Sequence, residues 1–135
     1  MFERCLYFNA NALARQVNKL WEQAFDDLGL SPAHAYLLRL VLDQPGIGQG
    51  RIAEELKLEK STVTRFVDSL EQRGYLNRIK SGREVEIMPT QKCRKIARQL
   101  QASGDALYKE MTGLIGKRNL ADLVKQLRKT SDELK

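Results

Sequence analysis

Residues 51–75 read RIAEELKLEKSTVTRFVDSLEQRGY, and the fold class can be inferred from this segment first. In its second half, apolar residues recur at i, i+3, i+4 and i+7: Val63, Phe66, Val67 and Leu70. That spacing places side chains on one face of an α-helix. We therefore expect a helix that is buried along this face and exposed on the other.

A shorter helix precedes it and offers small or aliphatic side chains to the same core, at Ile52, Ala53 and Leu56, while Leu58 fills the turn between the two. The other side of the second helix carries hydroxyls and cations, at Lys60, Ser61, Thr62, Thr64, Arg65 and Ser69. Such groups suit phosphate oxygens and base edges in a DNA major groove. The pattern predicts a helix-turn-helix.

These residues resemble the DNA-binding core of the MarR (multiple-antibiotic-resistance regulator) family of bacterial winged-helix repressors. The family pattern of Leu-x-Leu, Ser-Thr-Val-Thr-Arg and Leu-x-x-Arg-Gly appears here at 56–58, 61–65 and 70–74. Two residues depart from it, since the family usually has Gly at the position of Lys57 and an Asp cap at that of Glu59. A Lys held at positive φ costs about 1 kcal/mol relative to Gly, which the motif can tolerate.

After Gly74 the apolar period changes to two, and segments 76–79 and 84–87 flank Ser81-Gly82, a pair able to form a tight turn. We expect a β-hairpin, the wing, with Arg78, Lys80 and Arg83 at or near its tip, where phosphate or a narrow minor groove would receive them. Compared with the family's Asp-x-Arg wing, Ser81 replaces the Asp and the hairpin is shorter. A solvent-exposed hairpin without DNA contact is the alternative.

Between the first helix and the helix-turn-helix, Ser31-Pro32 is expected to begin a helix, with Ser as its N-cap. Its predicted inner face is Tyr36, Leu37, Leu40 and Val41, and Asp43 to Gly46 end it. Ile47 is expected to form a short strand beside the wing. His34 is interpreted as a surface imidazole, with a ligand or pH-sensing role as the alternative.

Both ends of the chain are predicted to be long amphipathic helices. The first covers Phe2 to Leu28 and ends at Gly29; the second begins after Thr90 as its cap and ends at Gly116; Asn119 is expected to cap the last. Their apolar stripes exceed what one small core covers, which indicates a subunit interface. Packing within one subunit is the alternative.

The predicted fold class is therefore mainly α with a small β-hairpin wing, a winged helix-turn-helix with dimerisation helices from both termini. Residues 1–135 are expected to form one domain, with 31–89 as the DNA-binding core and 1–30 and 90–135 as the dimerisation helices. The resemblance implies the same homodimer.

The amino-acid composition limits the classes of function that the chain can have. The net charge is +6, and residues 49–98 hold 12 Lys or Arg against 7 Asp or Glu, so the excess lies in the predicted binding module. Two distant cysteines and one histidine predict no metal site, and no motif pairs a nucleophile with a base or forms a P-loop. We expect no enzyme activity, no cofactor, no leader or membrane segment, and a cytoplasmic location.

The predicted function is a sequence-specific transcriptional regulator, a repressor in the family's manner, that binds a pseudo-palindromic operator as a homodimer. Phosphate contacts are assigned to the cations Lys60, Arg73, Arg78, Lys80 and Arg83. Base contacts are assigned to Ser61, Thr62, Thr64 and Arg65. The alternative is a winged-helix adaptor that contacts proteins and binds no specific DNA.

The resemblance also implies regulation by a small aromatic ligand or by cysteine oxidation. As a hypothesis, the effector pocket is lined by Tyr7, Trp21, Phe25 and Tyr36, with a plain hydrophobic core as the competing interpretation. Cys5 is the candidate for oxidation near the interface, against an inert buried thiol. Cys93 is expected to be a packing residue.

Overall fold

The computed structural model describes all of residues 1–135. Seven α-helices and one hairpin follow in the order α1 (Leu6–Phe25), α2 (Pro32–Asp43), α3 (Gln49–Leu56), α4 (Lys60–Gln72), β1 (Leu76–Ser81), β2 (Glu84–Pro89), α5 (Gln91–Lys95), α6 (Ala97–Ile115) and α7 (Lys117–Glu133). A 3-10 turn over Asp26–Leu28 extends α1. The mainly α class with a hairpin wing is confirmed.

The first compact unit, Met1–Gln101, contains the helix-turn-helix and the wing. Its core consists of fully buried side chains from almost every element, among them Phe25, Leu37, Leu38, Ile52, Val63, Val67, Leu70, Leu76, Ile87 and Leu100. The predicted inner face of α4 is confirmed at Val63, Val67 and Leu70, whereas Phe66 is half-buried. In α2 the predicted Leu37 and Val41 are buried, but Ala35 and Leu38 are buried in place of Tyr36 and Leu40, which are only half-buried.

Local signals for the ends of elements are confirmed at several positions. The Ser31 hydroxyl accepts a hydrogen bond from the His34 backbone N–H at 3.1 Å, with Pro32 in the first helical turn. Lys57 has φ 55° and ends α3 in the left-handed conformation, and Glu59 begins α4 without a side-chain cap. Ile47 forms a bridge with Ile87 beside the wing.

Four predicted boundaries are wrong. The first helix begins at Leu6, not Phe2, because residues 2–5 form a turn in which the Cys5 N–H donates to the Phe2 carbonyl at 3.0 Å. The helix after Thr90 is interrupted at Ile96, which has φ −99° and ψ 3°. Asn119 does not cap α7; it lies within that helix, and its Nδ2 donates to the Ile115 carbonyl at 3.2 Å.

The fourth boundary is the hairpin turn. Ser81 pairs with Glu84, so the two turn residues are Gly82 and Arg83 instead of Ser81 and Gly82. Gly82 has φ 65° and Arg83 has no positive φ. A glycine with positive φ at the first central position is typical of a type II′ turn, whose twist suits a two-residue hairpin.

The second compact unit, Ala102–Lys135, comprises most of α6 and all of α7. Large apolar side chains are exposed along it, at Tyr108, Leu114, Ile115, Leu123, Val124, Leu127 and Leu134. In the first unit, α1 and the residues before it expose a similar series, Phe2, Leu6, Tyr7, Phe8 and Leu13. Patches of this kind mark interaction surfaces. None of the helices is both long and apolar enough to span a membrane.

Candidate nucleic-acid interface

The outward face of α4 presents the polar residues expected from the sequence. Lys60, Ser61, Thr64 and Arg65 are exposed, while Thr62 and Ser69 are half-buried. Opposite them, Val63, Val67 and Leu70 anchor the helix with no exposed surface. The residues assigned to base edges therefore lie together in the first two turns of one rigid helix.

Arg65 keeps most of its hydrogen-bond donors free on this face. Its Nη2 is 3.4 Å from the Thr62 hydroxyl, a long contact that leaves the other guanidinium donors unused. A guanidinium with two free parallel donors matches O6 and N7 of guanine. This position is suited to a bidentate base contact.

The wing places two of its three cations as predicted. Lys80 lies one residue before the end of β1 and Arg83 lies in the turn itself, and both are exposed. Neither makes an ion pair with a protein carboxylate. The tip therefore carries two positive charges that are free to meet phosphate.

The prediction that Arg78 lies at or near the wing tip is wrong. It pairs with Ile87 in the middle of the hairpin, and its side chain folds onto α4. Its Nη1 donates to Glu71 Oε1 at 2.8 Å, and its Nη2 donates to Asp68 Oδ1 at 2.5 Å. With 25% of the side chain exposed and two carboxylates beside it, Arg78 adds no net positive charge to this surface.

Arg73, also assigned to phosphate, is engaged at the other end of α4. Its Nη2 donates to the Gly29 carbonyl at 2.9 Å, and its guanidinium carbon lies 5.5 Å from the centre of the Tyr75 ring. Lys92 approaches the same ring at 4.4 Å and donates to the Arg73 carbonyl at 2.7 Å. Arg73 and Lys92 therefore form an exposed pair of cations beside Tyr75. Arg73 has structural contacts here in addition to its predicted contact with phosphate.

His34 is not a simple surface imidazole, contrary to the prediction. Its ring packs edge-on against Phe66 with centroids 4.7 Å apart, and it is half-buried. Burial, with a smaller effect of the Arg73 charge, lowers the pKa of His34 below its ordinary value. The neutral imidazole is therefore the form that this contact favours.

Three of the four residues predicted for an effector pocket come together. Trp21 Nε1 donates to the Tyr36 hydroxyl at 3.1 Å, and the Phe25 and Tyr36 rings meet edge-on at 5.9 Å. Phe25 is fully buried in the core. Tyr7 is 78% exposed and lies fourteen residues before Trp21, about 21 Å along α1 at 1.5 Å per residue. The four residues thus do not line one pocket.

A groove of about 610 Å³ lies next to this group, and of the four only Tyr36 lines it. Its other walls come from α2, the end of α3 and the start of α6, and include Arg39, Leu40, Asp43, Leu56 and Gln101. The Arg39 guanidinium lies 5.3 Å from the centre of the Tyr36 ring. The groove therefore combines apolar walls with one cation, one carboxylate and an aromatic face.

The sequence reasoning missed Gln49, Asp68 and Glu71. Gln49 Oε1 accepts from Arg78 Nε at 3.1 Å, and Gln49 Nε2 donates to the Thr64 hydroxyl at 3.1 Å. Gln49 and Arg78 are 29 residues apart, so no local spacing marks the pair. The signal available in the sequence was Glu71, an acidic residue of α4 seven residues before Arg78. This spacing alone was too weak to exclude a phosphate contact for Arg78.

Comparison with known proteins gives a consistent result. Residues 30–85 match the model of the MarR family. An uncharacterised HTH-type transcriptional regulator, YybA of Bacillus subtilis (strain 168), is 27% identical over 96 residues, which cover 69% of this chain and 64% of that protein.

Among solved structures, the PcaV transcriptional regulator from Streptomyces coelicolor, in complex with its natural ligand, superposes with a TM-score of 0.88 at 20% identity, covering 100% of this chain and 97% of the other. MepR of S. aureus, in a complex with DNA, gives 0.85 at 16% identity, covering 98% and 100%. These similarities establish the fold.

Proposed function

We propose that the chain is a transcriptional regulator of the MarR family, whose model matches residues 30–85, and that it binds a pseudo-palindromic DNA operator as a homodimer and represses transcription there. The observation that carries the proposal is the exposed set of hydroxyls and cations on α4, backed by a fully buried apolar face. A regulator of this class works beside the bacterial chromosome, so we propose a cytoplasmic location.

Within the interface we assign Ser61, Thr62, Thr64 and Arg65 to base edges in the major groove. Lys60, Lys80 and Arg83 are assigned to phosphates, because they are exposed and their charges are not cancelled by a protein carboxylate. Arg73 joins them as a phosphate contact that also holds the end of α4. MepR, a structural relative, is known in complex with DNA, which supports this use of the fold.

The homodimer is supported by the exposed apolar residues of both chain ends. Side chains such as Leu6 at 61% and Leu127 at 51% exposure would gain by burial in a second copy, at roughly 25 cal/mol per Å² of apolar surface. A two-fold dimer presents two α4 helices, and DNA accepts both when they lie about 34 Å apart, one turn of the duplex.

For the effector we propose the groove beside Tyr36. A small aromatic acid fits its chemistry, since the ring can lie against Tyr36 and the apolar walls while the carboxylate meets Arg39. PcaV, a structural relative, is known with its natural ligand bound. Hydroxybenzoates should raise the melting temperature of the wild type, and Arg39→Met should abolish that shift.

The central experiment is selection of bound fragments from random-sequence duplex DNA, combined with sedimentation of the free protein. We expect a dimer and two half-sites whose centres are separated by one helical turn. A monomer, or absence of any preferred sequence, contradicts the proposal. If fragments show no retardation even at low salt, the protein-binding adaptor becomes the better account.

A further inference from the structure

Gln49, Thr64 and Arg78 form a chain of hydrogen bonds that crosses three elements, α3, α4 and β1. Arg78 Nε donates to Gln49 Oε1 at 3.1 Å, and Gln49 Nε2 donates to Thr64 Oγ1 at 3.1 Å. Thr64 Oγ1 in turn donates to the Lys60 carbonyl at 3.0 Å, one turn earlier in α4. The hydroxyl held in this way belongs to Thr64, a residue that we assign to base contacts.

The direction of every bond in this chain follows from Arg78. A guanidinium has donors and no acceptor, so the atom of Gln49 that faces it must be the carbonyl oxygen. The Gln49 amide nitrogen therefore faces Thr64, and because it can only donate, the Thr64 oxygen must accept. The hydroxyl proton of Thr64 is then directed to the Lys60 carbonyl.

Arg78 is held firmly enough to impose this direction. Glu71 accepts from both its side chain and its backbone N–H, at 2.8 and 3.1 Å, and Asp68 accepts from Nη2. These bonds join β1 to α4. Arg78 is consequently a positioning residue rather than a phosphate contact.

We propose that Arg78, acting through Gln49, makes Thr64 an acceptor-only reader, so that the DNA group it meets is an exocyclic amino group, N6 of adenine or N4 of cytosine. This inference rests on the proposed DNA binding of the α4 face. One lone pair of the Thr64 oxygen remains for the base, whereas an unrestrained hydroxyl could equally donate to O4 of thymine or O6 of guanine.

The test begins with the operator selected by the wild-type protein. Thr64→Val identifies the base pair that responds to loss of the hydroxyl. At that pair the amino group is deleted chemically, by replacing adenine with unsubstituted purine or cytosine with 2-pyrimidinone, and affinities are measured by fluorescence anisotropy at one salt concentration. Deleting the amino group also weakens the base pair itself. Measuring Thr64→Val on the same duplexes corrects for that effect, as a double-mutant cycle requires.

We expect amino deletion to weaken wild-type binding by about tenfold and Thr64→Val binding much less. Thr64→Ser should behave as the wild type. Gln49→Leu should fold, as checked by its circular dichroism melt, and should lose most of the wild-type penalty for replacing that adenine by guanine, or that cytosine by thymine, because its Thr64 hydroxyl can turn from the Lys60 carbonyl and donate to the keto oxygen. Gln72→Leu, the same substitution at an exposed position near the end of α4, is the matched control and should retain it.

The inference is overturned if amino deletion leaves wild-type affinity unchanged, if Thr64→Val loses as much as the wild type, or if Gln49→Leu keeps the full penalty for a keto base. It is also overturned if no base pair responds to Thr64→Val. A wild-type protein that selects no sequence overturns the proposed function together with this inference, so the two failures are distinguishable.

Discussion

Arg73 Nη2 donates to the backbone carbonyl of Gly29 at 2.9 Å, across 44 residues of sequence. Gly29 ends the 3-10 turn after α1 with φ 65°, so its carbonyl has a defined direction toward the end of α4. One guanidinium thus ties the recognition helix to the loop between α1 and α2. This contact makes a residue assigned to DNA also a contributor to stability.

We expect Arg73→Ala to lower the free energy of unfolding by about 1 kcal/mol, the net value of a typical hydrogen bond, because the contact is exposed to solvent. Urea denaturation measures this change. Arg65→Ala is the matched control, since Arg65 makes no bond outside its own helix, and it should change the free energy by less than about 0.5 kcal/mol. Equal losses in the two variants would contradict the structural role of Arg73.

The pH dependence of stability should report on His34. Its pKa in the folded protein lies below the ordinary value of 6.5, so just below that pH the unfolded chain binds a proton that the folded protein does not. The contribution of His34 to the free energy of unfolding is therefore greatest above pH 6.5. It declines as the pH falls from 6.5 toward the pKa of His34 in the folded protein.

The free energy of unfolding should therefore fall more steeply between pH 7 and 5 in the wild type than in His34→Gln. Arg73→Ala should raise the His34 pKa measured by NMR titration, because it removes the smaller of the two causes. Superimposable stability profiles for wild type and His34→Gln would refute the burial of the neutral imidazole.

The two thiols should differ sharply in reactivity. Cys93 has no exposed surface, and burial raises the pKa of its thiol to about 11, while Cys5 is exposed at the start of α1. A thiolate-specific reagent at pH 8 should label one cysteine per native chain and both after denaturation. Cys5→Ser should abolish native labelling.

The exposed thiol also permits a test of redox regulation. If oxidation of Cys5 controls the protein, peroxide should reduce operator binding in the wild type and leave Cys5→Ser unaffected. Binding that is unchanged in both proteins would dispose of the redox hypothesis.

Arg65 and Lys80 should affect DNA binding in different ways. Arg65→Ala should cost roughly 1–3 kcal/mol on the operator and relax preference at one base pair, because a base contact is lost. Lys80→Ala should weaken operator and random DNA alike and flatten the dependence of affinity on salt, because a phosphate contact is lost. If Arg65→Ala weakens both DNAs equally, Arg65 does not contact a base.

The sequence alone determined the helix-turn-helix, the hairpin and most of the element ends, because these depend on interactions within a few residues. Apolar spacing over one turn of helix predicted the buried face of α4, and Ser31, Lys57 and Thr90 act on backbone groups next to them. The start of α1 and the cap of α7 were predicted wrongly although they are also local features. Polar side chains at these positions have more than one backbone partner within reach, so the local sequence did not determine which hydrogen bond forms.

Only the tertiary structure decided which cations remain free for DNA. Arg78 and Lys80 are two residues apart on one strand and looked equivalent in the sequence. Residues two apart on a strand lie on the same face of the sheet, so their spacing gives Arg78 and Lys80 the same orientation. It could not predict that Asp68, Glu71 and Gln49 surround Arg78 and not Lys80. The partners of a long side chain depend on where other elements pack, and that packing is a property of the whole folded chain.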